Sequence, residues 1–276
     1  MPENFPLLEL SQLPLEKVIE AADFADLTPK GHASAEPMYE DLLLLWVEFL
    51  KNFFNLKIGK FCVQMHEQYS QDYFSLNFEK LLMESSIFHV TRQFSIGHCA
   101  VSHEELKFLL DNCKTDNFIC NGYPGRHFRY LGPIEFPKIT ISKARWVDEK
   151  VLENLTRNSC EITLIDPNIT DNQINEFLRV WIDSDHLPKK FKSLHIVSLW
   201  DHHFANPQRF FKASILQGIQ SSESQKPGLN DQFTEDGVRI PNPGWDFERK
   251  DGTVATVCFT TAEEEKKSEF HMRIWD

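Results

Sequence analysis

The residue types that could perform chemistry in this chain begin with two aspartates. Asp148 and Asp171 are 23 residues apart, at equivalent points of an internal repeat, so they could form a paired-carboxylate site for acid–base catalysis. Both fall at the start of a predicted helix, where a carboxylate stabilises the helix dipole by about 0.3–1 kcal/mol. We therefore interpret them as helix-start residues rather than as catalytic residues.

The histidines and cysteines give no stronger indication of catalysis. His202 and His203 follow Asp201, but no second group of ligands accompanies them at metal-binding spacing. His98 and Cys99 are neighbours after a predicted strand, and neighbouring strand residues point to opposite faces. The sequence therefore predicts a protein that is not an enzyme and that has neither a metal site nor a cofactor.

A strand–helix pattern occurs twice between Lys138 and Ile182 and predicts the elements that hold these residues. The two copies align at a constant shift of 23 residues. Apolar residues of the strand and of the helix coincide at that shift: Ile139 with Ile162, Ile141 with Leu164, Val151 with Ile174, and Leu155 with Leu178. A fixed period in the twenties is typical of a leucine-rich-repeat-like solenoid, whose units bury their apolar faces against one another.

Further strands extend this repeat in both directions. Ile96 and Ile119 precede Ile141 by 45 and 22 residues, and Leu194 follows Leu164 by 30 residues, an interval that fits an insertion. Each of these residues is predicted to occupy the inward position of its own strand. The array is thus expected to include more units than the two that align best.

Local signals agree with the repeat and define the two ends of the fold. Ser102 with Glu105 and Thr170 with Gln173 form capping-box patterns at equivalent positions. Asp251-Gly252 predicts a type I′ turn in a hairpin near the C-terminus. The expected fold class is α/β (α+β): a strand–helix solenoid with a helical N-terminus and a small C-terminal β-meander.

Composition limits the classes of partner. The net charge is −12, from 29 Lys and Arg against 41 Asp and Glu, which argues against nucleic acid and anionic membrane surfaces. No apolar run approaches the roughly 20 residues of a membrane-spanning helix. The N-terminus lacks a signal-peptide pattern, and the six cysteines form no C-x-x-C pair. We expect reduced thiols and an intracellular location, cytoplasmic or nuclear.

Several stretches resemble one protein family. FPLLELSQLPLEKVI near the N-terminus resembles the opening of an F-box. CEITLIDPNITDNQINEFLRVWI, FKSLHI, WDFERKDGTVATVCF and FHMRIW together resemble the F-box-associated domain of the F-box group expanded in nematodes. The resemblance implies a substrate receptor of a Skp–cullin–F-box ubiquitin ligase, which captures a target protein for ubiquitin-dependent degradation. The residues that match the adaptor-binding F-box start are Leu13, Pro14, Leu15 and Val18.

The F-box match ends near Leu27, where a polar linker replaces the family's further helices. The alternative function is therefore a repeat-type protein-binding module that no longer engages the Skp adaptor. The predicted organisation is an incomplete F-box-like segment (1–27), a linker and apolar helix (28–55), the repeats (56–200), and a helix, mobile loop and β-hairpin of the same domain (201–276).

Target binding is expected on the face of the strands that points away from the helices. Outward positions alternate with the apolar positions of each strand. The candidate partner-binding residues are Thr140, Ser142, Thr163, Ile165, His195 and Val197.

Overall fold

The computed structural model of the chain describes residues 60–63, 92–97, 101–125, 127–184, 190–199, 210–224, 244–262 and 266–275. All of them belong to the second of two units, Trp46–Asp276. Most of the predicted mobile loop and the whole of residues 1–55 lie outside the described residues. So do these individually predicted residues: Leu13, Pro14, Leu15, Val18, His98, Cys99, Asp201, His202 and His203.

The described part of the chain forms one ten-stranded sheet with four helices. The strands are β1 (Lys60–Val63), β2 (Gln93–Ile96), β3 (Asn117–Cys120), β4 (Lys138–Ile141), β5 (Glu161–Ile165), β6 (Ser193–Leu199), β7 (Ser222–Glu223), β8 (Gly244–Glu248), β9 (Val254–Ala262) and β10 (Lys267–Trp275). The helices are α1 (His103–Asn112), α2 (Glu149–Asn158), α3 (Asp171–Asp183) and α4 (Lys212–Ile215).

The sheet is mixed, with a parallel part and an antiparallel part. The strand order is β1-β2-β3-β4-β5-β6-β10-β9-β8-β7. Strands β1 to β6 pair in parallel, whereas β10 pairs antiparallel with both β6 and β9. Strands β8, β9 and β10 are sequential neighbours, as a meander requires. The prediction of a mixed α/β protein is confirmed.

The apolar core lies on one face of the sheet because inward and outward side chains alternate along each strand. Ile139 pairs with Ile162 across β4 and β5, as predicted, and both are buried. The apolar stripe of α3 packs on the same face. There Trp181 meets Phe247 of β8 edge to face, with ring centroids 5.5 Å apart.

Two of the helices begin at the predicted capping boxes. Before α1, the Glu105 N–H donates to Ser102 Oγ at 3.1 Å, and the Ser102 N–H donates to Glu105 Oε2 at 2.8 Å. Thr170 and Gln173 make the equivalent pair before α3. These contacts satisfy backbone donors that the first helical turn leaves without partners.

The predicted register of β3 is wrong by one residue. Ile119 pairs with Thr140 and is half-buried, whereas Phe118 and Cys120 point into the core. Cys120, not Ile119, is the partner of Ile141. Side chains alternate with a period of two, so a one-residue shift moves every side chain of a strand to the other face.

The predicted register of β6 is shifted by two residues. Leu194 pairs with Ile162 rather than with Leu164, which pairs with Ile196. A two-residue shift keeps every side chain on its predicted face. His195 therefore remains an outward residue, as its half-buried state also indicates.

The turn between β8 and β9 is not the predicted type I′ turn. Gly252 has a φ of 85°, but Asp251 is not among the described non-glycine residues with positive φ. The Gly252 N–H donates to the Arg249 carbonyl at 2.9 Å, and the Arg249 N–H donates to the Thr253 carbonyl at 2.8 Å. The Asp251 carboxylate accepts from the Thr253 N–H at 3.0 Å, so a local side-chain contact selects a different turn.

The division between the two faces predicts unequal costs for neighbouring substitutions in β5. Leu164→Ala removes a fully buried side chain and should lower the free energy of unfolding by about 2–5 kcal/mol. Thr163→Val keeps the shape of a half-exposed outward side chain and should change it by less than about 0.5 kcal/mol. Denaturant unfolding measures both, and equal costs would contradict this assignment of faces.

Candidate functional site

The candidate partner-binding residues lie together on the outward face, which we define as the sheet face opposite the core. Thr140 pairs with Thr163, and Thr163 pairs with His195, so the three form one row across β4, β5 and β6. Ile165 pairs with Val197 in the neighbouring row. All are half-buried except Val197, which is 8% exposed.

Ser142 follows β4 on the same side, where its hydroxyl donates to Asn121 Oδ1 at 2.7 Å. The structure thus brings the predicted residues close to one another on the sheet. Their role in partner binding stays a prediction.

The row continues from β6 into β10, where it reaches a group of titratable side chains. His271 lies directly opposite His195, and Glu269 lies opposite Val197. The two imidazole rings stack, with centroids 3.8 Å apart and planes 17° apart. We call His195, Glu269 and His271 the histidine–glutamate cluster.

Both imidazoles approach the same carboxylate oxygen. His271 Nε2 lies 2.9 Å from Glu269 Oε2, and His195 Nε2 lies 3.4 Å from that oxygen. The other oxygen, Oε1, is 3.1 Å from Lys267 Nζ. Lys267 is two residues from Glu269 on the same strand, so its side chain projects from the same face.

These contacts and the burial of the cluster determine its electrostatics. Contacts from His195 and His271 hold the pKa of Glu269 well below its ordinary value. Burial lowers the pKa of His271, and this effect outweighs the nearby Glu269 carboxylate, which acts in the opposite direction. At neutral pH the cluster therefore contains an ionised carboxylate and, at His271, a neutral imidazole.

Two buried polar atoms at the cluster lack a good hydrogen bond. His195 Nε2 makes the 3.4 Å contact with Glu269 Oε2, and Thr260 Oγ1 on β9 has no partner. Thr260 pairs directly with Glu269, so its side chain lies beside the carboxylate on the same face. A buried polar atom without a good hydrogen bond is uncommon in folded proteins, and a bound water or ion is one explanation for it.

Cys258 also lies on this face, opposite His271. Burial raises the pKa of its thiol to about 12, so the thiolate form that binds metals is disfavoured. The groups available for chemistry are therefore two imidazole nitrogens and one carboxylate oxygen, all within 4.8 Å of one another. Such a set can hold a divalent metal ion or exchange protons.

Sequence reasoning identified only one member of this cluster. His195 was predicted to point outward, but Glu269 and His271 were not singled out, and no metal site was expected. The missing information is the antiparallel pairing of β10 with β6, which joins residues 76 positions apart (271 − 195). The position of His271 between the apolar residues Phe270 and Met272 was the available signal in the sequence.

The two aspartates that repeat at 23 residues each bind a different backbone group. Asp148 caps α2, where Oδ1 accepts from the Val151 N–H at 3.1 Å. Asp171 is the first residue of α3, and its Oδ2 accepts from the Phe211 N–H at 3.1 Å. Burial raises the pKa of Asp171. Both are helix-start residues, as predicted.

Comparison with protein-family models, with curated proteins and with solved structures finds no match for this chain. The F-box resemblance is therefore a hypothesis that depends on the sequence motifs alone. Within the described residues, none of the helices has the length and apolar character needed to cross a membrane.

The cluster predicts that stability falls in mildly acidic solution. The folded-state pKa of His271 lies below its unfolded value of 6.5, so the unfolded chain binds a proton first. The free energy of unfolding should therefore decrease as pH falls below about 6.5. The depressed pKa of Glu269 extends this loss below its ordinary value of 4.5.

Urea unfolding from pH 7.5 to 5 measures this dependence, with His271→Gln as the comparison. That variant has no titrating group at position 271, so its stability should depend less on pH across this range. His127→Gln, which removes an exposed imidazole, serves as the control. Parallel pH profiles for the wild type and His271→Gln would contradict the prediction.

Proposed function

We propose that this protein is a non-enzymatic protein-interaction adaptor whose outward face binds a target protein. One observation carries this proposal: Thr140, Thr163 and His195 form a continuous, half-buried row across three paired strands, while the opposite face is the apolar core. A surface of this kind combines polar groups with apolar spots such as Ile165. Protein interfaces contain such a mixture, since their share of apolar area is about that of the rest of the protein surface.

The repeated units support a solenoid architecture as part of this proposal. Strands β4, β5 and β6 pair in parallel and in register, and α2 and α3 connect them. In a leucine-rich-repeat-like solenoid, strands line one surface and helices the other, and the strand surface binds partners. The row of outward residues would then form part of that strand surface.

The resemblance to F-box proteins gives the proposal its partners. In this scheme the chain is the substrate receptor of a Skp–cullin–F-box ubiquitin ligase in the cytoplasm or nucleus. The F-box-like segment would contact the Skp adaptor, and the outward face would contact the target. Leu15 and Val18 are two of the four residues that match the adaptor-binding start of the F-box.

A second candidate function follows from the short F-box match. The polar linker Thr28–Glu36 stands where the family's further F-box helices are expected. On this alternative the chain is a repeat-type binding module that acts without the Skp adaptor. The two candidates differ only in adaptor binding, so one direct measurement separates them.

The adaptor experiment uses the full chain and a purified Skp-type adaptor. We expect the wild type to bind and the double variant Leu15→Asp, Val18→Asp to lose binding, because buried carboxylates oppose an apolar interface. Thr163→Arg serves as the control, since it changes the outward face and not the F-box-like segment. Absence of binding by the wild type would refute the ligase function and leave the alternative.

The target experiment compares two variants that add the same charge on opposite sides of the sheet. Thr163→Arg alters the outward row, whereas Asn172→Arg alters the exposed surface of α3. Proteins cross-linked to the wild type in cells should be lost from Thr163→Arg and retained by Asn172→Arg. Circular dichroism first establishes that both variants fold. Retention of the same proteins by both variants would place target binding elsewhere.

A further inference from the structure

The histidine–glutamate cluster has the composition of a metal site, and the proposed adaptor function does not use it as one. His195 Nε2, Glu269 Oε2 and His271 Nε2 lie within 4.8 Å of one another. Imidazole nitrogens and carboxylate oxygens are ordinary zinc ligands. We propose that these three side chains bind a single Zn²⁺ ion on the outward face.

One of the ligand distances already suits a zinc ion. Zinc lies about 2.0–2.1 Å from nitrogen ligands and about 2.0–2.2 Å from oxygen ligands, so tetrahedral ligand atoms are roughly 3.3–3.6 Å apart. His195 Nε2 and Glu269 Oε2 are already 3.4 Å apart. His271 Nε2 lies closer to that oxygen, at 2.9 Å, and its ring stacks on that of His195. The His271 ring must therefore swing away by about 1 Å before both nitrogen lone pairs can point at one tetrahedral ion.

The unsatisfied atoms give an independent reason for a ligand at this position. His195 Nε2 is buried, and its contact with Glu269 Oε2, at 3.4 Å, is too long for a strong hydrogen bond. A metal ion would take the lone pair of this nitrogen in place of that weak contact. Thr260 Oγ1, also buried without a partner beside Glu269, could hydrogen-bond a water molecule in the fourth coordination position.

The surroundings are suited to hold the ligands in place. Lys267 Nζ contacts Glu269 Oε1, which leaves Oε2 directed at the two imidazoles. Partners of this kind orient ligating carboxylates in metal sites. The ligands stand on paired strands, which position side chains more accurately than loops do.

The number of ligands defines the kind of site. Structural zinc sites usually have four protein ligands, whereas three ligands leave a position for water or an incoming group. The side chain of His195 is 25% exposed but its Nε2 is buried, so the ring must turn to admit an ion from the outward face. A zinc ion here would present an open coordination position to a histidine, cysteine or carboxylate of a bound target protein.

The experiment measures zinc binding by the full chain in competition with a chromophoric chelator. The wild type should bind one more equivalent of Zn²⁺ than the variant His195→Gln, Glu269→Gln, His271→Gln. Each single His→Gln substitution should weaken that equivalent at least tenfold. The control variant His103→Gln, His127→Gln removes two exposed histidines outside the cluster and should bind as the wild type does. Equal stoichiometry and affinity in the wild type and the cluster variant would overturn the proposal.

A second measurement on the wild type alone removes any dependence on how well the variants fold. Two of the chain's 11 histidines, His195 and His271, should show shifted imidazole resonances when one equivalent of Zn²⁺ is added. Mg²⁺ and Ca²⁺ should leave them unchanged, because these ions prefer oxygen ligands. Unshifted resonances at both histidines with zinc would overturn the proposal. Adaptor binding is measured separately, so either hypothesis can fail without the other.

Discussion

The antiparallel pairing of β10 with β6 is the interaction on which the rest of the described structure depends. It joins the six parallel strands to the four C-terminal strands and makes one sheet of both parts. The same pairing places Met272 beside Leu194 and Phe270 beside Ile196, so the core extends across the join. On the other face it brings His271 against His195. One register therefore determines both the continuity of the core and the composition of the outward face.

Local interactions were the part of this fold that the sequence could predict. The strand–helix units around β4, α2, β5 and α3 were identified because apolar spacing and capping both depend on residues close together in the chain. The residues predicted to coincide between the two units are buried in both. The outward positions followed from alternation alone, and for that reason Thr140, Thr163 and His195 were placed on the correct face.

The errors have equally physical causes. The loop between Cys120 and Lys138 has 17 residues (137 − 120). A loop of this length does not fix which residue of β3 pairs with which residue of β4, so the register of β3 could not be read from it. The turn between β8 and β9 differs from the predicted type I′ turn because the Asp251 carboxylate accepts a hydrogen bond from the Thr253 N–H. Of the two central residues, Gly252 alone has a positive φ. The histidine–glutamate cluster depends on a pairing between distant strands. Local patterns contain no information about which distant strands become neighbours.

The short strand β7 has a consequence for association between copies of this protein. It is the last strand in the sheet order, and only Ser222 and Glu223 pair with β8. An exposed sheet edge offers unpaired backbone groups to any other strand and can start edge-to-edge aggregation. Two exposed residues, one of them acidic, give an approaching strand little to pair with. Within the described part of the chain, the sheet thus ends on this side with a strand that discourages further growth of the sheet.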